Sequence, residues 1–365
     1  QAHGGLTVVN DVGQDVVAAN AHISKDPAEV IPGAHVIILS LPSFAAEHYL
    51  SEIAPFIDDG AVIGSLPAQG GFDIVARKCL GEHADRVTIF GLETLPWACR
   101  LAEYGSKVEV LGTKKQVDFV ASPAHDATRA RDIIQELIGP EPRLDLVDNF
   151  LAVTLMNINS VWHPCISYGA YKDWDGRPFA APPPFYEGVD DFAASVLTNV
   201  SDEVIALKEF LCKKYPGLDL SATKHVFDWI KDAYQEDIAD NSSLRAAINT
   251  NKGYKGLVHP CVEAEGGEGF MPNFRYRYFS EDIPVGLMVT RGVAELAGVP
   301  TPHMDEVIVA CQIWMGKEYI KDGKVGGANV AETRAPQNFG HTTIEGFMDS
   351  CRYNPALDNE DGGLN

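Results

Sequence analysis

Short apolar runs alternate with amphipathic stretches between residues 34 and 140, and this alternation restricts the fold more than any other feature of the chain. HVIILSLP (35–42), AVIGSLP (61–67) and RVTIFGL (86–92) each predict a buried strand. KVEVLGT (107–113) predicts a fourth strand. Because helical stretches separate or follow these runs, the pattern favours a mostly parallel, doubly wound α/β sheet.

Long helices replace this alternation in the second half of the chain. The clearest predicted helix starts at Asp190-Asp191, stops at Pro216-Gly217 and has Lys213-Lys214 in its last turn, a charge order that suits the helix dipole. Its apolar side chains form one stripe: Val196, Leu197, Val200, Val204, Leu207 and Leu211. We therefore predict an α/β domain over residues 1–152 and an all-helical domain over residues 153–365, with the cleft between domains as the default ligand site.

Charge and cysteine usage exclude several classes of function. The net charge of −22 argues against nucleic acid and anionic membranes as partners, since both need a basic protein surface. No apolar run has the length of a membrane-spanning helix. The seven cysteines are scattered without a C-x-x-C pair, which argues against a metal site of the zinc type and favours a reducing cytoplasm.

The glycine pattern of dinucleotide-binding domains is missing. Such domains open with a strand and the turn G-x-G-x-x-G at a helix N-terminus. Here Gly4-Gly5 precedes LTVV rather than a helix, and Gly70-Gly71 opens a helix without the required spacing. Either the domain does not bind dinucleotides, or its first βαβ unit is absent. Because the sequence starts at Gln1 instead of Met, we favour the second explanation.

The segment GLETLPWACR follows the third predicted strand and is unusually rich in reactive side chains. In parallel α/β sheets, ligands bind outside the carboxyl ends of the strands. A ligand-binding loop and a capped turn packed over its tryptophan explain the segment equally well. The reactive side chains of this segment lie on both sides of Pro96 in the sequence: Glu93, Thr94, Trp97, Cys99 and Arg100.

Three segments of the helical domain carry candidate chemistry. His163 in NINSVWHPCISYG is either a hydrogen-bonded core residue or a group that exchanges a proton near neutral pH. In NFRYRYFSEDIPVG, Arg277 is suited to clamp a carboxylate and Asp282 to orient His163, with surface charge and helix capping as the alternatives. NTNKGYKGLVHPC offers possible anion contacts, although exposed lysines in a glycine-rich loop explain it better: Lys252, Lys255 and His259.

Taken together, these segments make the chain similar to the opine dehydrogenases of marine invertebrates. The resemblance covers nearly the whole chain and rests on nine blocks in one order: VIILSLPSFAAEHY, GSLPAQGGFD, FGLETLPWACR, KVEVLGTK, SVWHP, DWDGRP, FYEGVD, NTNKGYKGLVHP and YRYFSEDIP. It implies an N-terminal Rossmann domain, an all-helical C-terminal domain and an active site between them. The family's glycine turn lies at its extreme N-terminus, so we expect this chain to be truncated there and to bind NADH poorly.

The resemblance also implies roles for individual residues. The family uses NADH to condense pyruvate reductively with an amino acid, a terminal step of anaerobic glycolysis. His163 is implied as the general acid, with Asp282 as its carboxylate partner and Arg277 as the substrate-carboxylate ligand. The remaining implied positions are Gln69 near substrate and nicotinamide, Glu93, Thr94 and Cys99 around the amino acid, and Ser40, Leu41, Pro42 and Phe44 beside the NAD cofactor.

The amino-acid substrate stays open at this stage. Members of the family use arginine, alanine, glycine, taurine or β-alanine, and Glu93 together with the net charge of −22 favours arginine. Family members are typically monomers, and the same is expected here. A reductase of the glycerol-3-phosphate or ketopantoate type and a truncated, non-catalytic family member are the alternatives. The reductases rely on a catalytic lysine, and no lysine is placed like His163.

Overall fold

The computed structural model describes residues 5–10, 13–18 and 22–355. Contacts divide the chain into two units: Gln1–Ala68 with Val75–Val153, and Gln69–Ile74 with Thr154–Asn365. The segment Gln69–Ile74 therefore precedes the predicted domain boundary in sequence but groups with the second unit. We call it the loop Gln69–Ile74, although its last three residues open a helix.

Strands dominate the first unit. They are β1 (Leu6–Val9), β2 (Asp15–Ala18), β3 (Val36–Leu39), β4 (Val62–Ser65), β5 (Thr88–Leu92), β6 (Trp97–Glu103), β7 (Lys107–Thr113), β8 (Gln116–Ser122) and β9 (Arg143–Leu146). The helices are α1 (Pro27–Val30), α2 (Ala46–Ile53), α3 (Phe72–Leu80, whose first three residues group with the second unit) and α4 (Ala127–Ile138).

The main sheet has the order β3-β4-β5-β8-β9. Strands β3, β4 and β5 are mutually parallel, β8 runs antiparallel to β5, and β9 is parallel to β8. The predicted Rossmann-type α/β sheet is thus confirmed, with two strands, β8 and β9, running opposite to the other three. Its hydrophobic core includes Val62, Phe90, Phe119, Ile134 and Leu144.

One predicted strand belongs to a different sheet from the one expected. KVEVLGT forms β7 as predicted, but β7 belongs to a second sheet of order β2-β1-β7-β6. Its residues are mostly half-buried, as the alternation of polar and apolar letters in KVEV favours, whereas β4 and β5 at the centre of the main sheet are buried on both faces. The neighbouring strand of the main sheet is instead β8, which the sequence analysis missed.

Helices form most of the second unit. They are α5 (Phe150–Leu155, whose first four residues group with the first unit), α6 (Ile158–Tyr171), α7 (Asp191–Lys214), α8 (Val226–Tyr234), α9 (Leu244–Asn249), α10 (Arg277–Ser280), α11 (Met288–Ala297), α12 (Pro302–Met315) and α13 (Ile344–Ser350). A single π-helical turn spans Ile283–Leu287. Two antiparallel strand pairs, β10 (Cys261–Glu263) with β11 (Phe270–Pro272) and β12 (Ile320–Lys321) with β13 (Lys324–Val325), complete the unit.

Helix α7 is the centre of this unit and confirms the longest predicted helix. Asp190 caps it by accepting a hydrogen bond from the backbone N–H of Ala193 at 2.8 Å. The six residues of its predicted apolar stripe are all buried. Helix α6 packs closely on α7, because a Cβ added at Gly169 would lie 2.5 Å from the Cβ of Ala193. Helix α6 carries His163 and is therefore held against the centre of the unit.

No helix within the described ranges combines the length and apolar composition needed to cross a lipid bilayer.

Candidate active site

His163 and Asp282, 119 positions apart in sequence, form a buried pair in the second unit. The imidazole Nδ1 lies 2.7 Å from the Asp282 Oδ2, and the residues are only 7% and 5% exposed. Because an ionised carboxylate only accepts hydrogen bonds, Nδ1 carries the proton of this bond and Nε2 is left for another partner. The Asp282 side chain makes no capping bond to the helical turn that follows it, so the capping alternative is wrong.

The π turn explains how Asp282 reaches His163. Asp282 immediately precedes the turn Ile283–Leu287, and π turns occur mostly as single insertions, frequently at functional sites. A Cβ added at Gly286 in this turn would lie 2.3 Å from the Cβ of Ser160, one turn before His163 in α6. Only glycine permits this approach of the turn to α6, and the approach brings the carboxylate to the imidazole.

Aromatic rings enclose the pair. The Tyr278 ring stacks on His163 with centroids 3.5 Å apart, and Phe185 meets it edge-on at 5.7 Å. Burial raises the pKa of the Tyr278 phenol, and it raises the pKa of Tyr186, on which the Asp282 charge also acts. Both phenols are therefore neutral near pH 7, and Asp282 supplies the negative charge beside the imidazole.

Gln69 lies in the loop that groups with the second unit. Its side-chain oxygen Oε1 accepts a hydrogen bond from Asn157 Nδ2 at 3.0 Å, and Asn157 immediately precedes α6. The structure thus brings Gln69 to the helix that carries His163. The sequence analysis did not single out Asn157, although it opens the block NINSVWHPCISYG.

Arg277 is exposed at the start of α10, five positions before Asp282. Across the described ranges, its guanidinium has neither a hydrogen-bond acceptor nor an ion-pair partner in the protein. Its positive charge acts on the stacked Tyr278 phenol and opposes the rise of that pKa. Arg277 is therefore available for an external anion in the neighbourhood of the pair.

The segment GLETLPWACR is only partly a loop, which corrects the sequence analysis. Glu93–Pro96 form a bend after β5, whereas Trp97, Cys99 and Arg100 belong to strand β6. Thr94 Oγ1 accepts a hydrogen bond from Lys114 Nζ at 2.6 Å, a residue that the sequence analysis missed. Burial lowers the pKa of Lys114 and the Glu93 charge opposes this shift, so a cation lies among the predicted amino-acid ligands. Burial raises the pKa of the Cys99 thiol.

The predicted cofactor residues follow β3 at the carboxyl end of the parallel strands. Ser40, Leu41 and Pro42 connect the strand to a short helical turn, with a bend at Leu41, and Phe44 is 77% exposed in that turn. An exposed aromatic ring at this edge of a Rossmann-type sheet is suited to pack against a nucleotide. These residues therefore fit a nicotinamide dinucleotide.

His259 is not available to an external anion. Lys252 and Lys255 are exposed as predicted, but His259 is only 2% exposed and lies against the rings of Tyr171 and Phe185. Its Nδ1 has no hydrogen-bond partner among the residues described. Burial lowers the pKa of His259 to about 4.

This burial predicts a pH-dependent loss of stability. Between pH 6.5 and 4 the unfolded chain binds a proton at His259 that the folded chain rejects, so stability falls as the pH is lowered through this window. From pH 7 to pH 5, His259 should account for about 2 kcal/mol of the lost unfolding free energy. Urea unfolding of the natural protein and of His259→Phe at both pH values measures it. Equal pH dependence in the two proteins would contradict the assignment.

The chain is similar to known dehydrogenases over most of its length. The family model for the α-helical domain of NAD/NADP octopine/nopaline dehydrogenases matches residues 146–315. Tauropine dehydrogenase of Arabella iricolor is 41% identical over 331 residues, covering 89% of this chain and 82% of the relative. Octopine dehydrogenase of Mizuhopecten yessoensis is 44% identical over 329 residues, covering 89% and 81%.

A solved structure of an octopine dehydrogenase is similar to this chain as well. Octopine dehydrogenase with NADH and L-arginine superposes with a TM-score of 0.88 at 40% identity, covering 95% of this chain and 87% of that one. Because it covers 95% of this chain, the similarity extends over both units. The chain therefore belongs to the opine dehydrogenase family and is an oxidoreductase.

Proposed function

We propose that this protein condenses pyruvate with an amino acid and reduces the product with NADH, with arginine as the favoured amino acid. The buried hydrogen bond between His163 and Asp282 carries the proposal. Relatives named octopine and tauropine dehydrogenase, and octopine dehydrogenase structures with NADH and L-arginine or with pyruvate, support it.

Proton transfer defines the part played by His163. The amino nitrogen of one substrate attacks the keto carbon of pyruvate, and the keto oxygen must leave as water to give an imine. His163 Nε2 donates the proton that this oxygen needs, since Nδ1 is engaged by Asp282. Asp282 stabilises the imidazolium and fixes the orientation of the ring, so it supports the proton donor without itself reacting.

Residues around this pair bind pyruvate, and residues of the first unit bind the amino acid. Arg277 holds the pyruvate carboxylate through its unpaired guanidinium, since planar bidentate pairing suits a carboxylate. Gln69 contacts the substrate while Asn157 holds its carboxamide. Glu93, Thr94 and Cys99 line the amino-acid site of the first unit.

The cofactor site uses the segment after β3. Ser40, Leu41, Pro42 and Phe44 hold the dinucleotide at the carboxyl edge of the sheet. NADH, when bound, supplies the hydride that converts the imine to a secondary amine. We further propose a monomer acting in the cytoplasm, a compartment in which the seven free thiols of the chain stay reduced.

An NADH-oxidation assay tests the proposal directly. The protein is assayed with pyruvate and, in turn, arginine, taurine, alanine, glycine and β-alanine. Turnover with at least one pair is expected, with the highest kcat/KM for arginine. Absence of turnover with every pair would defeat the proposed reaction, and a higher kcat/KM for taurine would defeat the choice of arginine.

Asp282→Asn tests the partner of His163. Asparagine keeps the size of the side chain but removes the charge that stabilises the imidazolium, so kcat should fall by about 10²-fold or more. The alkaline limb of the pH–rate profile should also move to lower pH, because the protonated ring is less favoured. The measurement is kcat/KM from pH 5 to 10, with NADH affinity as the control. An unchanged profile would show that Asp282 does not act through His163.

A further inference from the structure

Two segments that carry proposed site residues meet inside the second unit. The loop Gln69–Ile74 begins with Gln69, and the π turn Ile283–Leu287 follows Asp282. A Cβ added at Gly70 would lie only 2.8 Å from the backbone oxygen of Val285 in that turn. The two backbones are therefore in direct contact, and a displacement of either segment displaces the other.

Arg334 bonds to both segments. Its backbone N–H donates to the Pro284 carbonyl in the π turn at 2.9 Å, and its guanidinium Nη1 donates to the Gly70 carbonyl at 3.3 Å. Arg334 is only 5% exposed, and its side chain also lies against Gly71. One buried residue thus ties the loop that carries Gln69 to the turn that positions Asp282.

Other contacts of the loop Gln69–Ile74 hold it to the unit without reaching the π turn. The Gly71 N–H donates to Thr154 Oγ1 at 3.2 Å, and the Tyr353 hydroxyl donates to the fully buried Asp73 carboxylate at 2.5 Å. These bonds anchor the loop, whereas those of Arg334 connect it to the turn that follows Asp282.

We propose that Arg334 is a positioning residue for this active site, which rests on the function proposed above. It acts through the Gly70 carbonyl and the Pro284 carbonyl, and through them on Gln69 and on the pairing of Asp282 with His163. Arg334 lies beyond residues 146–315, the range that the family model matches.

Arg334→Lys tests the proposal, with Arg291→Lys as a matched control. Both arginines are buried in the second unit, 5% and 6% exposed. Arg291 bonds instead to Glu295 and Gly323 at 2.9 Å each and to Asp305, joining α11 to α12 and the turn between β12 and β13. Lysine keeps the charge in both variants but loses the planar fork that reaches several acceptors.

A structural readout separates positioning from general stability. In the natural protein the proton on His163 Nδ1 should give a slowly exchanging downfield resonance, assigned by its loss in His163→Gln. Arg334→Lys should shift or abolish this resonance, whereas Arg291→Lys should keep it even though both variants unfold at lower temperature. An unshifted resonance in Arg334→Lys would overturn the proposal.

Kinetics supply the second readout. Arg334→Lys should lower kcat by about 10²-fold, the effect of a misplacement near 1 Å, and move the alkaline limb of the pH–rate profile, with NADH affinity kept. Arg291→Lys should leave the profile in place. Equal pH–rate profiles for the two variants would also overturn the role of Arg334. Inactivity of the natural protein with every amino acid would refute the proposed function, and the resonance test would then decide the role of Arg334.

Discussion

Replacing His163 by glutamine should lower kcat for the condensation of pyruvate with an amino acid by about 10²–10⁴-fold. Glutamine fills much of the same space beneath Tyr278, but its carboxamide N–H is not acidic enough to transfer a proton to the keto oxygen that leaves as water. The hydrogen bond to Asp282 is 2.7 Å long and buried, so the imidazole is held in one orientation for this transfer. Steady-state kinetics with saturating NADH measure the loss.

A second buried histidine of the same unit provides the control. His259→Phe changes a ring that is 2% exposed and outside the proposed proton path, so this variant should keep its kcat. NADH affinity should be close to that of the natural protein in both variants. If His163→Gln retained more than about a tenth of the activity, the acid would have to be another group.

Gly64→Ala should produce the largest loss of stability among single-methyl additions to the first unit. A Cβ at this position of β4 would lie 2.2 Å from the backbone oxygen of Phe90 and 2.3 Å from its ring. Phe90 is fully buried in the core of the main sheet and cannot move aside without opening it. We expect a loss of about 3 kcal/mol, seen by calorimetry as a fall of roughly 10 °C in Tm.

Gly112→Ala is the matched control for this substitution. Gly112 also lies in a strand of the first unit, β7, but a Cβ added there meets no atom within 4 Å. Its Tm should change by about 2 °C or less, in either direction. Similar losses in the two variants would show that the approach of β4 to Phe90 does not determine the effect.

The sequence predicted the parallel part of the fold well, because the strands β3, β4 and β5 are continuous apolar runs between helical stretches. It placed β7 in the wrong sheet and missed β8. Gln116 and Asp118 interrupt the apolar letters of β8, and its antiparallel pairing with β5 depends on the return of the chain through β6 and β7. Strand order of this kind is a tertiary property that local periodicity does not encode.

The proposed site was predictable to the extent that it consists of reactive side chains. His163 and Asp282 were predicted from the chemistry of their side chains and from the family resemblance. The structure shows how Gly286 brings them together. Arg334 gave no local signal, because its contact with Gly70 joins positions 264 residues apart and uses a backbone carbonyl. Lys114 was missed for a related reason, since only the folded chain brings its ammonium group to Thr94.

The grouping of Gln69–Ile74 with the second unit matters for protein engineering. A chimaera could join the N-terminal half of one family member to the C-terminal half of another near residue 153. The residues Gln69–Ile74 would then come from one protein and the residues that bond to them from the other. Thr154, Arg334 and Tyr353 would then meet a loop that did not evolve with them. Exchange of helical halves should therefore carry these six residues along as a third, discontinuous piece.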